Sequence, residues 1–354
     1  MPTDSSFHKE RNLFNRQIHI TETQSAFFST IAVTIALLLA RLPAFTPVAG
    51  FLAVSMFSVT GVNTRESFKA RLASVAKVIL ILVATCALAV LIKDFIAPLL
   101  LGAVILAFSF GYWRQLFPNN WPDINIPAAV VFFMALSVQD HLGPITATAT
   151  GCILAFASQF ILCLIFSLKK SPSIETGETT GAANQNNPVP NDAKPNVRLG
   201  LGPDLFIYSI QLSLLLAIGL LVYRLTGFLY GYWLPFTVVI VLQTSYKHTK
   251  KRIGDRLVGT LIGCVLGSTI LFLNFDATTN LVIIALNAFL FQVLVRDHYT
   301  IAVIFITTFI LLLIGSHSSN PAEVVLERLA STIAAGALVY LSSLIFLKRR
   351  ESIV

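Results

Sequence analysis

Apolar residues gather into runs of roughly 15 to 27 positions, close to the length a helix needs to cross the hydrocarbon of a bilayer, and none alternates as a barrel strand would. Short polar stretches separate them. The pattern predicts helices over 25–41, 47–62, 72–92, 95–113, 124–139 and 142–168, and again over 204–223, 225–246, 256–274, 277–295, 299–316 and 323–347. Between the two sets, residues 169–203 are rich in Pro, Asn, Thr and Gly and have little to bury, which reads as a flexible linker. The expected fold is an all-α polytopic membrane protein of about twelve transmembrane helices in two parallel six-helix repeats. Its parts are a basic segment 1–24, membrane repeats 25–168 and 204–348, the linker 169–203 and a basic tail 349–354.

One stretch organises this reading. Tyr230 to Gly267 runs from an apolar segment through a dense basic turn into a glycine-stepped apolar segment, and a fainter copy lies upstream. Superposing Arg71 on Arg256 also brings Thr64 onto Thr249, Arg65 onto Lys250 and Leu72 onto Leu257. A weaker inverted repeat of three helices within each half is suggested by Arg328-Leu-Ala-Ser-Thr332, which opens the last helix much as Arg256-Leu-Val-Gly-Thr260 opens the ninth.

Composition excludes a water-soluble domain: 55% of the 354 residues are apolar and 12% charged, too few to coat a core of that size. The first 24 residues carry Lys9, Arg11 and Arg16 without a small-residue cleavage site, so no removable signal peptide is expected. Cys86, Cys152, Cys163 and Cys264 sit inside apolar runs at no metal-ligand spacing, and neither a disulfide framework nor a metal site is expected. Charge sets the orientation. Of the 25 Lys and Arg residues, Arg41, Lys93, Arg224 and Arg328 fall on one side and Lys77 within a helix, leaving all others on the opposite side. By the positive-inside rule that side, with both termini, is cytoplasmic. The net charge of +8 is this topology signal together with attraction to anionic lipid, and no nucleic-acid module is present.

Within the basic turns, Arg71 and Arg256 stand out because each is read as the junction residue where its helix begins, in the same register of both halves. A guanidinium there offers a bidentate grip to a carboxylate. Arg65 is the basic neighbour of the first of them. Lys77, six residues beyond Arg71 in an apolar run, either snorkels to the interface or faces a cavity as a second anion ligand. Gly259, Gly263 and Gly267 form a small-residue ladder for close helix packing. Tyr232 and Trp233 read either as an aromatic belt or, beside Pro235 and Thr237, as an unwound turn lining a ring-binding site. Candidates for proton coupling or gating are Asp297 with His298, Asp140 with His141, and Glu323 with Glu327 beside Arg328. Asp140 and His141 read better as a solvated loop. No nucleotide-binding, zinc-protease or hydrolase motif is present, so no cofactor and no enzymatic activity are expected.

The run Tyr232-Trp233-x-Pro235-x-Thr237, followed by Gln243-x-Ser245-Tyr246 and Arg256-x-x-Gly259-Thr260-x-x-Gly263, resembles the core pattern of the fusaric acid resistance family, which includes bacterial aromatic-acid exporters. Arg296-Asp-His-Tyr299 and Arg328-x-x-x-Thr332 extend the likeness through the later helices. In the first half the pattern fades: Gly50, Phe51 and Leu52 replace the aromatic motif and Ser74-Val75 replaces Gly259-Thr260, while Arg71 survives. The resemblance implies efflux of small aromatic or other weak organic acids across the bacterial inner membrane, driven by protons, with a periplasmic adaptor as a further partner and homo-oligomers as an option. On this basis Arg71 and Arg256 hold the carboxylate, and Tyr232, Trp233, Thr237, Gln243 and Thr260 complete the site. Two alternatives remain: a passive anion channel like the plant aluminium-activated malate channels, and a membrane scaffold that transports nothing.

Overall fold

In the computed structural model of the protein, residues 22–39, 48–60, 68–116, 125–168, 201–295, 297–316 and 318–348 are described. They form helices and turns, with no strand among them. The helices are α1 (Glu22–Leu39), α2 (Ala49–Thr60), α3 (Phe68–Ile92), α4 (Ile96–Leu116), α5 (Asn125–Ala135), α6 (Leu142–Leu168), α7 (Pro203–Thr226), α8 (Trp233–Val241), α9 (Tyr246–Leu273), α10 (Ala277–Leu294), α11 (Tyr299–Gly315) and α12 (Pro321–Ser343). A π-helical turn, Leu344–Lys348, extends α12. The basic segment before α1, most of the linker and the tail lie outside the described residues, as do Arg65 and the side chain of Arg71.

Seven of these helices are long and apolar enough to cross a membrane by length and composition: α3, α4, α6, α7, α9, α10 and α12. The nine residues of α8 extend only about 13 Å, well short of the ~30 Å of hydrocarbon. Its neighbours explain why. α7 runs on to Thr226, where Gly227 ends it in the left-handed region at φ 66°, so residues 227–232 are a turn and not the first third of an eighth helix. Pro235 then sits in the first turn of α8, where its missing N–H breaks no helical bond, and it starts the helix instead of unwinding it.

The second departure from the sequence reading concerns the basic stretch 247–256. It is the first three turns of α9 and not a loop. Ser245 is the N-cap, its hydroxyl accepting from the His248 backbone N–H, and Lys and Arg are good helix formers once a cap is in place. Apolarity marks where a helix meets lipid, not where it begins. Arg256 therefore lies about 15 Å along α9 rather than at its start. At the far end Asn274 takes the left-handed C-cap conformation at φ 46°, and Asp276 caps α10. The Thr279 hydroxyl and the backbone N–H groups of Thr279 and Thr278 hold the Asp276 carboxyl below its usual range.

α9 is built inside out. Its buried face carries Thr249, Ile253, Arg256, Gly259, Thr260, Gly263, Cys264 and Gly267, whereas Val258, Leu261, Ile262, Val265 and Leu266 are exposed. Polar and small residues within, branched apolar residues without, is the pattern of a helix whose solvent is hydrocarbon. The glycines do the packing expected of them. A Cβ on Gly259 would stand 2.7 Å from the Thr300 carbonyl oxygen, one on Gly263 2.7 Å from that of Ile304, and one on Gly267 3.0 Å from Leu311, so α9 and α11 run parallel in backbone contact. α12 crosses α9 the other way, with Gly336 against Ile253 and Leu257.

Other contacts pass between the halves: α4 packs on α7, α1 on α10 and α5 on α8. Gly111 of α4 faces Ser209 of α7, the Gln292 amide of α10 donates to the Ser29 hydroxyl of α1, and the Tyr223 hydroxyl donates to the Leu136 carbonyl at 3.0 Å. Lys93 is buried at the end of α3. Its ammonium donates to the carbonyls of Val138, Gln139 and Asp140, at 2.7, 3.0 and 3.2 Å, and so caps the turn after α5. Asp140 in turn accepts from the Leu142 and Gly143 N–H groups and starts α6, a structural role. Lys77 lies on the exposed face of α3, so it joins no interior site.

The glycines of α9 separate packing from propensity. Gly254 has open space around its would-be Cβ, so Gly254→Ala should stabilise the protein by about 0.5–1 kcal/mol. Gly263→Ala should lower the melting temperature of the detergent-purified protein, because the clash is with backbone. Equal melting temperatures for the two variants would contradict the helix contact.

Candidate functional site

Four helices, α8, α9, α11 and α12, enclose a polar column in the second half. On α9, Arg256, Thr260 and Cys264 lie one turn apart on the buried face; α8 supplies Trp233 and Thr237, α11 supplies Tyr299 and Thr307, and α12 supplies Arg328. Arg328 is fully buried and Arg256 nearly so, at 0% and 4% exposure. They are close enough for their charges to repel, and Tyr232, Cys264 and Tyr299 lie within the same electrostatic range of Arg328.

What matters is how little satisfies these cations. Arg328 Nε, Nη1 and Nη2 hydrogen-bond to nothing among the described residues, nor does Arg256 Nε. The Arg328 guanidinium lies 4.9 Å from the centroid of the Trp233 ring, a cation–π contact of about 2 kcal/mol when desolvated. Burying a guanidinium costs several kcal/mol even after relaxation. The aromatic contact therefore recovers only part of the cost, and the second arginine adds to it. The hydroxyls of Thr237, Thr260, Thr307 and Tyr299 are likewise buried without a partner among the described residues. Donors fixed in this way suit an acceptor group from outside the protein, and a planar carboxylate matches a guanidinium fork.

Two tyrosines also pack on Trp233. Tyr230 stacks on it at 5.1 Å between centroids with the rings 16° apart, and Tyr232 tilts against it at 5.7 Å. Tyr232 and Trp233 are buried in the core and form no lipid-facing belt. Glu327 explains the placement of this turn: one of its carboxylate oxygens accepts from the Tyr230 backbone N–H at 2.7 Å. Adjacent helical residues diverge by about 100°, so Glu327 grips the α7–α8 turn while Arg328 faces the column. The two do not pair. Nor does Arg328 lie at the outer edge of the bundle, where the charge count sets it.

The remaining sequence candidates fall elsewhere. Gln243, Asp297 and His298 line a cavity of about 540 Å³ at the basic end of the bundle, together with His248, Lys251, Arg252, Asp255, Tyr299, Thr300 and Ile301. Gln243 is partly committed there: its backbone N–H donates to the Thr249 hydroxyl and its side-chain amide to the Ile240 carbonyl. Glu323 is exposed in the first turn of α12. Two residues escaped sequence reasoning. Tyr299 was visible only as part of a motif, and Thr307 only as one of two adjacent threonines in an apolar run.

Residues 216–342 match the family model described as fusaric acid resistance protein-like. Over that segment the chain is similar to this family. An uncharacterised protein of Haemophilus influenzae is 30% identical over 134 residues, which are 38% of this chain and 19% of that protein. The Escherichia coli protein named inner membrane protein YccS is 30% identical over 136 residues, again 38% of this chain and 19% of its own length. A Neisseria gonorrhoeae protein, ORF2, is 26% identical over 149 residues, 41% of this chain and 36% of that protein. The match thus spans about a fifth of the first two relatives. No solved structure matches the chain. Every residue of the polar column lies inside the fusaric acid resistance protein-like segment.

An uncompensated charge makes a sharp stability prediction. Arg328→Met keeps the volume, ends the repulsion with Arg256 and removes three unpartnered nitrogens, so the purified protein should melt several degrees higher; a marked fall would mean the guanidinium has a structural partner. Glu327→Gln keeps an acceptor for the Tyr230 N–H and should fold normally, whereas Glu327→Ala should lose about 1–3 kcal/mol, read by thermal unfolding.

Proposed function

We propose that the protein exports small organic anions, aromatic carboxylates foremost, from the bacterial cytoplasm across the inner membrane, with Arg256 and Arg328 as the anion site. The observation that carries this reading is the pair of buried, like-charged guanidiniums, with no hydrogen-bond partner at any nitrogen of Arg328 or at Nε of Arg256 among the described residues. An intramembrane charge persists against its cost where it serves a ligand, an ion path or a proton. The flanking Trp233 ring and the hydroxyls of Thr237, Thr260 and Thr307 give the site an apolar face and a polar edge, the combination a flat aromatic acid presents. The family match over residues 216–342 and the inner-membrane name of the Escherichia coli relative support the same direction.

The architecture in this proposal is two parallel repeats, α1–α6 and α7–α12, with both termini cytoplasmic and the basic start of α9 at the cytoplasmic face. Packing partners support it: α2 with α6, α3 with α6 and α3 with α5 recur as α8 with α12, α9 with α12 and α9 with α11, and the contacts α4 with α7 and α10 with α1 exchange under the same relation. Arg71 is the first-half counterpart of Arg256. Protons entering past Asp297 and His298 supply the driving force.

The test is efflux of radiolabelled benzoate from cells carrying matched amounts of each variant. Losing one charged partner of a buried carboxylate contact costs about 2–5 kcal/mol. Arg328→Met and Arg256→Ala should therefore each cut efflux at least tenfold, with Arg328→Lys in between because it keeps the charge and loses the fork. Efflux at the wild-type rate in both would overturn the assignment.

A further inference from the structure

The cavity at the basic end and the buried arginine pair share one residue. Tyr299 lines the cavity, its hydroxyl is buried without a partner among the described residues, and it lies within electrostatic range of Arg328. On its cavity side, the Arg252 guanidinium sits 3.6 Å from the centroid of the Tyr299 ring. The ring therefore stands as a wall between an open chamber and the occluded charge pair, with a cation laid across it. From these contacts we propose that the cavity is a loading subsite for a small carboxylate, and that Tyr299 with Arg252 is the partition the anion crosses to reach Arg256 and Arg328. This rests on the anion-site reading above.

The charges around the chamber suit a place of entry better than one of retention. Lys251 and Arg252 are offset by Asp255 and Asp297, and Asp255 is fixed where it stands by the Thr300 hydroxyl, which donates to it at 3.0 Å. An anion meets two cations there without being trapped by a net positive field, whereas the inner pair has no carboxylate bonded to it. Passage along such a path needs a first station weak enough to leave and a second strong enough to draw the anion inward. Arg252 serves both stages: while a carboxylate occupies the chamber its guanidinium has an alternative to the Tyr299 face, and leaving that face frees the ring to turn. His248 and His298 border the same chamber. The Ser245 hydroxyl lies 2.9 Å from His248 Nδ1 and ties that ring to the α9 N-cap, which keeps the mouth of the cavity in place.

The experiment uses the purified full chain in proteoliposomes, with radiolabelled benzoate as the probe. Arg252→Gln should raise KM several-fold, because the loading subsite loses one of its two cations. Tyr299→Ala should convert the protein into a leak that passes benzoate down its gradient. Ile301→Cys, which places a thiol on the exposed cavity lining, should react with a membrane-impermeant methanethiosulfonate, and benzoate should slow that reaction; this readout stands even where Tyr299→Ala does not fold. An unchanged KM in Arg252→Gln together with unprotected labelling would overturn the subsite, and if Arg328→Met still abolishes transport the anion-site reading survives that failure. If Arg328→Met transports normally, both readings fall.

Discussion

The free energy of a guanidinium shut away from water is set by its neighbours, and at Arg328 those are an aromatic face, a second cation and a set of hydroxyls. The carboxylate next to it in sequence, Glu327, is spent on the Tyr230 N–H. That division of labour ties several elements to one constraint. The α7–α8 turn must come to Glu327, which brings Trp233 under Arg328; α8 must start there and so is too short to span; and α9 must present its small and hydroxylated face, since anything larger would fill the space around the charges. The strain of an uncompensated pair is thereby concentrated at one depth in the bundle, while the turns and caps around it are conventionally satisfied.

Elsewhere the same logic runs in reverse. Lys93 is also a buried cation, yet three carbonyl oxygens take its three ammonium protons, and it closes a turn instead of opening a site. Comparing the two makes the argument chemical and not statistical. Burial alone does not mark function, because a buried charge with complete hydrogen bonding is structural, whereas one with none requires a different account. The centre of the first half, where Ser55, Cys86, Thr148 and Cys152 are buried among apolar side chains, holds no charge among the described residues.

The order of the twelve helices among the described residues was legible because each contains an apolar run, and the close α9–α11 packing because glycines every fourth residue leave one face without side chains. Three things were not legible, each for a physical reason. The start of α9 was misjudged because a capped basic helix looks like a loop to any reading based on apolarity. The turn before α8 was absorbed into a helix because Gly227 and the Glu327 bond that shape it are separated by 100 positions. Arg328 was placed at the rim beside a partner because sequence adjacency does not reveal that two neighbouring side chains leave a helix in directions about 100° apart. Arg256 was singled out for a supposed place at a junction, whereas the structure puts it well along α9 and buries it.

The glycine contacts between α9 and α11 also govern how the bundle can move. Two helices whose backbones touch at successive turns cannot slide along each other without driving a Cα into a carbonyl oxygen. They travel as one strut. α8 and α12 are joined in the same sense through Glu327 and the Tyr230 N–H, and the arginines are divided between these two assemblies, Arg256 on one and Arg328 on the other. The mutual repulsion of the pair then acts as a compressed spring across the joint between these two assemblies.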